Sequence, residues 1–142
     1  KDFKKLILIG FLFALHWLMF YSSIKLANAS IALICLSTSS VFVAVIEPLS
    51  NGRKINPVEI GLSLIAISGV YLIYALKDDH TVAQMDNFPL GLLLGVLASV
   101  LSAIFTVLNK PLTQKYEPRI LVFYEMVIGF VFLSLVGPFY LY

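Results

Sequence analysis

The sequence predicts an all-α, polytopic transmembrane helical bundle, and three observations predict it. Only 13% of its 142 residues are charged and 60% are hydrophobic, where a soluble domain carries about a quarter charged residues. The apolar residues are gathered into five runs of bilayer-crossing length. The lysines and arginines between those runs fall unevenly on alternate connections.

The first run covers residues 6–24, with His16 near its centre. It follows Lys4 and Lys5 in the manner of a signal peptide. It is long enough to span, carries no small-residue cleavage site and is followed by four more runs, so it reads as a membrane helix. The second covers 26–46, contains no charged residue and ends in Glu47-Pro48. The third covers 60–76. It is opened by Asn56-Pro57-Val58-Glu59, an N-cap, a proline at the first helical position and a glutamate placed to reach back. The fourth covers 87–109, with Pro89 near its start, and Pro111 and Pro118 bracket the connection after it. The fifth runs from about residue 120 to the end, interrupted by Glu125. Runs of 17 to 23 residues at 1.5 Å per residue match about 30 Å of hydrocarbon. Backbone polar groups cannot be left bare in lipid, so these runs are expected to be helices rather than open strands.

Charge then gives orientation. One set of connections holds Lys1, Lys4, Lys5, Arg53, Lys54, Lys110, Lys115 and Arg119. The other holds only Lys25 and Lys77, the latter beside Asp78, Asp79 and Asp86. Eight basic residues against two predict that the first set is cytoplasmic. The chain starts in a charged stretch and stops inside an apolar run, so it is expected to be an internal piece of a longer protein. One cysteine, Cys35, supports no disulfide framework. Scattered basic residues give no nucleic-acid patch. No GxSxG, HExxH or glycine-rich phosphate loop is present, so the expectation is a non-enzyme without cofactors. Two histidines and the short Asp78-Asp79-His80 stretch offer no metal site.

Polar groups inside hydrocarbon are costly and turn toward protein or water. His16 is therefore the sharpest candidate for a substrate cavity, against an interhelical hydrogen bond that only fixes packing. Asn28, Ala32, Cys35 and Ser39 share one face of the second run by their spacing, widened by Ser37, Thr38 and Ser40. That face reads either as a hydrated wall or as tight packing; Asn28 and Ser39 are its cavity candidates. Glu125 needs a partner, a proton or water at its depth, and either meets a cationic group or anchors a neighbouring helix. Glu47 is expected to pair with Arg53 or Lys54, and Glu59 to act as a cap. Gly91, Gly95, Ser99 and Ala103 recur every four residues and form an expected close-packing face, with Gly61 and Gly69 read similarly.

From FYSSIKLANASIAL through LSTSSVFVAVIEPL, NGRKI and EIGLSLIAISGVYLI, and again over GLLLGVLASVLSAIFTVLNKPL and FYEMVIGF, the chain resembles the EamA-type domain of the drug/metabolite transporter superfamily. Ser40 stands where many members have proline, and Gly52-Arg53 where many have Gly-Glu, while Glu47-Pro48 resembles one branch. The resemblance implies five spans of a ten-helix inverted-repeat transporter. Residues 1–76 would be the last three helices of the first repeat, 77–88 an extracytoplasmic link, and 89–142 the first two helices of the second repeat. It implies a multi-pass protein of the plasma membrane that exports small metabolites, amino acids or drugs, by alternating access. Its expected partners are the lipid bilayer, a small-molecule substrate and the missing helices of the same full-length protein. A homodimer stays open as a further partner. The rival reading is a polytopic scaffold or a subunit of an intramembrane enzyme.

Overall fold

The computed structural model describes residues 2–52, 54–76 and 87–140. Arg53, Lys77, Asp78, Asp79, His80 and Asp86, with most of the expected link 77–88, lie outside the described residues. All regular structure among the described residues is α-helical: α1 (Asp2–Leu26), α2 (Ala29–Ser37), α3 (Ser39–Asn51), α4 (Pro57–Ala75), α5 (Phe88–Thr113) and α6 (Pro118–Tyr140). Four stretches are long and apolar enough to cross a bilayer: α1, α2 with α3 taken together as Ala29–Asn51, α5, and Pro118–Gly137 of α6. In α4 the apolar stretch Pro57–Gly69 is shorter, so the third span rests on the sequence.

Helix ends follow local chemistry. The Asn56 side chain accepts from Val58 N–H at 3.0 Å, and Glu59 reaches back to the Asn56 side-chain amide at 3.4 Å rather than to its backbone N–H. Asn87 caps α5 through Leu90 N–H, with Pro89 in the first turn. Pro48 and Pro111 were expected to mark boundaries, yet α3 runs on to Asn51 and α5 to Thr113. Each proline sits within the last turn, and the helix continues only three and two residues beyond it. The α3 stop is Gly52 instead, at φ 65° with its N–H on the Pro48 carbonyl. Only glycine adopts that left-handed cap without a Cβ penalty.

The second run differs most from expectation. Leu26 belongs to α1, and the helix that follows is interrupted at Thr38 near mid-span. The hydroxyl row explains this. Ser37, Thr38 and Ser40 each donate to the carbonyl three residues back, on Ile34, Cys35 and Ser37. Thr38 N–H and Val41 N–H also take i−3 partners, at 3.0 Å each. Side chains that compete for backbone carbonyls tighten and bend a helix.

α1 is the centre of the bundle. It packs along α5, beside α6 and against α2, while α3 packs on α5 and α4. Leu26 O accepts from Asn87 N–H at 3.1 Å at one end. At the other end Asp2 meets Lys115 and Tyr116, and Glu47 meets Lys110. α1 and α5 are therefore antiparallel, and the α1 start, the α3 end and the α5–α6 connection share one end of the bundle. These are the described parts of the connections that carry the basic excess. The Asp2 carboxylate, with the Tyr116 hydroxyl, raises the Lys115 ammonium above its ordinary value. Glu47 pairs with Lys110 of another helix, because α3 and α5 run side by side to this end, and of its two expected partners Arg53 lies outside the described residues.

Close approach of α1 depends on glycines. A Cβ on Gly10 would stand 2.7 Å from Ile128 Cγ2, and one on Gly95 2.9 Å from Ser23 Oγ of α1. Gly61 and Gly69 differ from expectation: a Cβ there would meet nothing within 4 Å, because the packed side of α4 faces elsewhere. The outer surface stays apolar, with Leu62, Ile65, Tyr71 and Phe130 exposed, as lipid-facing residues must be.

Candidate functional site

The interruption at Thr38 lies against the middle of α5, and the polar groups of three helices gather there. The Cys35 carbonyl accepts from Thr38 N–H at 3.0 Å and from the Thr38 hydroxyl at 2.6 Å. It also meets the Ser99 hydroxyl of α5, which lies 3.0 Å from its own Gly95 carbonyl. One residue earlier on α5, the Ala98 carbonyl accepts from His16 Nδ1 at 2.8 Å. Ser23 is fully buried beside Gly95, and its Oγ has no hydrogen-bond partner among the described residues. Non-helical backbone at membrane depth is tolerated where protein or a water-filled cavity satisfies it. Here Ser99 is the protein group that does so.

His16 is 5% exposed and set among rings. Phe20 stacks on it at 6.1 Å between centroids, and Trp17 and Phe105 meet it edge-on at 5.6 and 5.7 Å. Its bond to Ala98 therefore ties α1 to α5 from inside an aromatic cluster.

Glu125 lies elsewhere, toward the basic end. It is 5% exposed, one turn beyond the buried Leu121 of α6 and next to Gly10 of α1. Its carboxyl faces the Asn109 side chain of α5, and Glu125 Oε1 and Asn109 Oδ1 are both buried without a hydrogen-bond partner among the described residues. Asn109 is a residue the sequence left as a mere span boundary. Its being an amide at the end of an apolar run was the available signal.

Asn28 is at the far end of the bundle, in extended backbone (φ −166°), and its side chain accepts from Ile31 N–H at 2.8 Å. It is the N-cap of α2. Asn28→Ala is expected to cost about 1 kcal/mol of stability, read as a lower midpoint in detergent denaturation. Ser39 is half-buried just past the interruption. The structure thus gathers His16, Ser23, Cys35, Thr38 and Ser99 at mid-bundle and holds Asn28 and Glu125 apart. Three clefts of roughly 530 to 550 Å³ open on the described surface, and none of the three is lined by His16, Asn28, Ser39 or Glu125. The small residues of α5 face inward: Gly91 lies against Ala27, Gly95 against Cys35, and Ser99 and Ala103 are fully buried.

No curated protein and no solved structure matches the chain. The EamA-like transporter family matches residues 1–75, more than half of the 142. That match covers α1 to α4, including the interrupted helix. With four bilayer-length apolar helices beneath it, the conclusion is that this chain is a multi-pass membrane protein belonging to the EamA-like transporter family.

Proposed function

We propose that the chain forms the middle of a transporter that moves small metabolites, amino acids or drugs, outward across the plasma membrane by alternating access. In this reading residues 1–76 end one five-helix repeat, 77–88 link the repeats outside the cell, and 89–142 begin the second. The observation that carries it is the helix interrupted at Thr38, opposite Ser99 and near His16 at mid-bundle. Discontinuous helices near the midplane are where secondary transporters hold substrate, and rocking of one repeat against the other alternates access to that place. The direction of the basic excess supports a cytoplasmic location for the end that holds Lys5, Lys110 and Lys115.

In this mechanism Ser99 joins Thr38 on the Cys35 carbonyl in the closed packing, and separating α2 from α5 breaks the Ser99 bond and turns that face of the carbonyl toward the cavity. Ser99→Ala is expected to loosen this contact by about 1 kcal/mol and to shift the balance of conformations without unfolding the protein. The measurement is cysteine-specific labelling of Cys35 in the full-length protein, which should become faster than in wild type. The function itself is tested by an export screen of amino acids and drugs with the full-length protein, in cells lacking their own exporters. A membrane-inserted, folded protein that moves none of them would sink the reading.

A further inference from the structure

Because the chain bends at Thr38, the two halves of the second span have different neighbours. Both halves pack on α5, but α2 also packs on α1, whereas α3 packs also on α4 and lies away from α1. A wedge is left between α1 and α3 with α5 as its floor. It is a cleft of about 540 Å³ at the basic end of the bundle. Its inner part is apolar, with Leu8 and Ile9 on α1 and Val107 and Leu108 on α5. Its rim is polar, with Lys5, Ser50, Asn51, Lys110 and Gln114.

The rim keeps one uncompensated positive charge among the described residues, at Lys5, because Lys110 is already paired with Glu47. Asp2 is taken by Lys115, Glu47 by Lys110 and Glu117 by Arg119. No carboxylate pairs with Lys5 among the described residues, and no acidic side chain lines the cleft. A cavity with an apolar interior, two ammonium groups and neutral donors at its mouth suits one chemistry. That is an anionic group on an apolar body, the anion at the interface and the body among the leucines.

We propose that the cleft between α1, α3 and α5 binds an organic anion with an apolar body, its charged group held by Lys5 and Lys110. Such a ligand has two sources, a soluble amphipathic carboxylate or an anionic phospholipid of the adjoining leaflet. Taking the soluble one as cargo rests on the transport reading above; the binding site does not. On binding, Lys110 turns from Glu47 toward the anion, so occupancy weakens the link between α3 and α5.

The test is binding to the full-length protein in phosphatidylcholine nanodiscs, with octanoate, octylamine and octanol as probes. Octanoate is expected to bind, and octylamine and octanol at least tenfold more weakly. Lys5→Gln and Lys110→Gln should each weaken octanoate binding about tenfold, the loss of one charge-assisted contact. Both variants are exposed and should remain folded, and Lys54→Gln, outside this cleft, is the control. In a second arm, phosphatidylglycerol is added to the nanodiscs and retained lipid is counted by mass spectrometry. Retention that depends on Lys5 and Lys110 without octanoate binding assigns the site to lipid; octanoate binding in pure phosphatidylcholine assigns it to a soluble anion. Equal binding of octylamine, or indifference of both arms to both lysines, overturns the proposal. Because the readout is binding, failure of the export screen with octanoate still bound would count against the transport reading alone.

Discussion

Replacing Gly91 by leucine is expected to prevent the protein from accumulating in a folded form. The first atom of any side chain there would stand 2.8 Å from Ala27 Cβ, 2.9 Å from Ala27 N and 3.2 Å from the Leu26 carbonyl carbon. Two of these are backbone atoms at the end of α1, which cannot rotate away. α1 and α5 are pinned to each other at this level by the bond from Asn87 N–H to Leu26 O. Even Gly91→Ala should cost about 1 to 3 kcal/mol of overpacking, and leucine adds three further heavy atoms. No hydrophobic gain offsets this, because lipid is as apolar as the interface. The measurement is the folded fraction in detergent by size-exclusion chromatography. Gly61→Ala on α4 is the control, where no neighbour lies within 4 Å, and it should be neutral or slightly stabilising from helix propensity. If the two alanine variants were equally stable, the described α1–α5 packing would be wrong.

His16→Ala is expected to have the next largest effect, about 3 kcal/mol, with His16→Phe costing only about 1 kcal/mol. The alanine variant removes the ring that meets Trp17, Phe20 and Phe105 and the donor to Ala98. The phenylalanine variant keeps a ring of similar size and loses only the donor. Loss of the donor leaves the Ala98 carbonyl with a helical partner of its own, so no polar group is stranded. Unfolding titrations of both variants in mixed micelles measure the difference. The same pair separates the two readings of His16. A packing residue makes His16→Phe nearly silent in transport. A residue that handles substrate or protons makes His16→Phe folded yet inactive, or removes the pH dependence of transport.

The sequence by itself determined that this is a membrane protein, how many apolar runs it has, and which connections share a side. Those properties follow from run length and charge, which are local quantities that lipid reads directly. Capping at Asn56 was equally legible, because an N-cap acts within one turn. Only the tertiary structure decided where the helices really stop and what the polar residues touch. Pro48 and Pro111 read as ends and proved to be last turns. Ser37, Thr38 and Ser40 read as widening one face of a continuous helix, and instead they interrupt it at a Cys35 carbonyl met by Thr38 and also by Ser99, 64 residues away. His16 and Glu125 were singled out as groups that need partners. Ala98 and Asn109 were invisible as those partners because a periodic pattern states which residues share a face and not which other helix arrives there. That is set by where glycines such as Gly10, Gly91 and Gly95 let two backbones come close, a property of pairs of helices and of no single one.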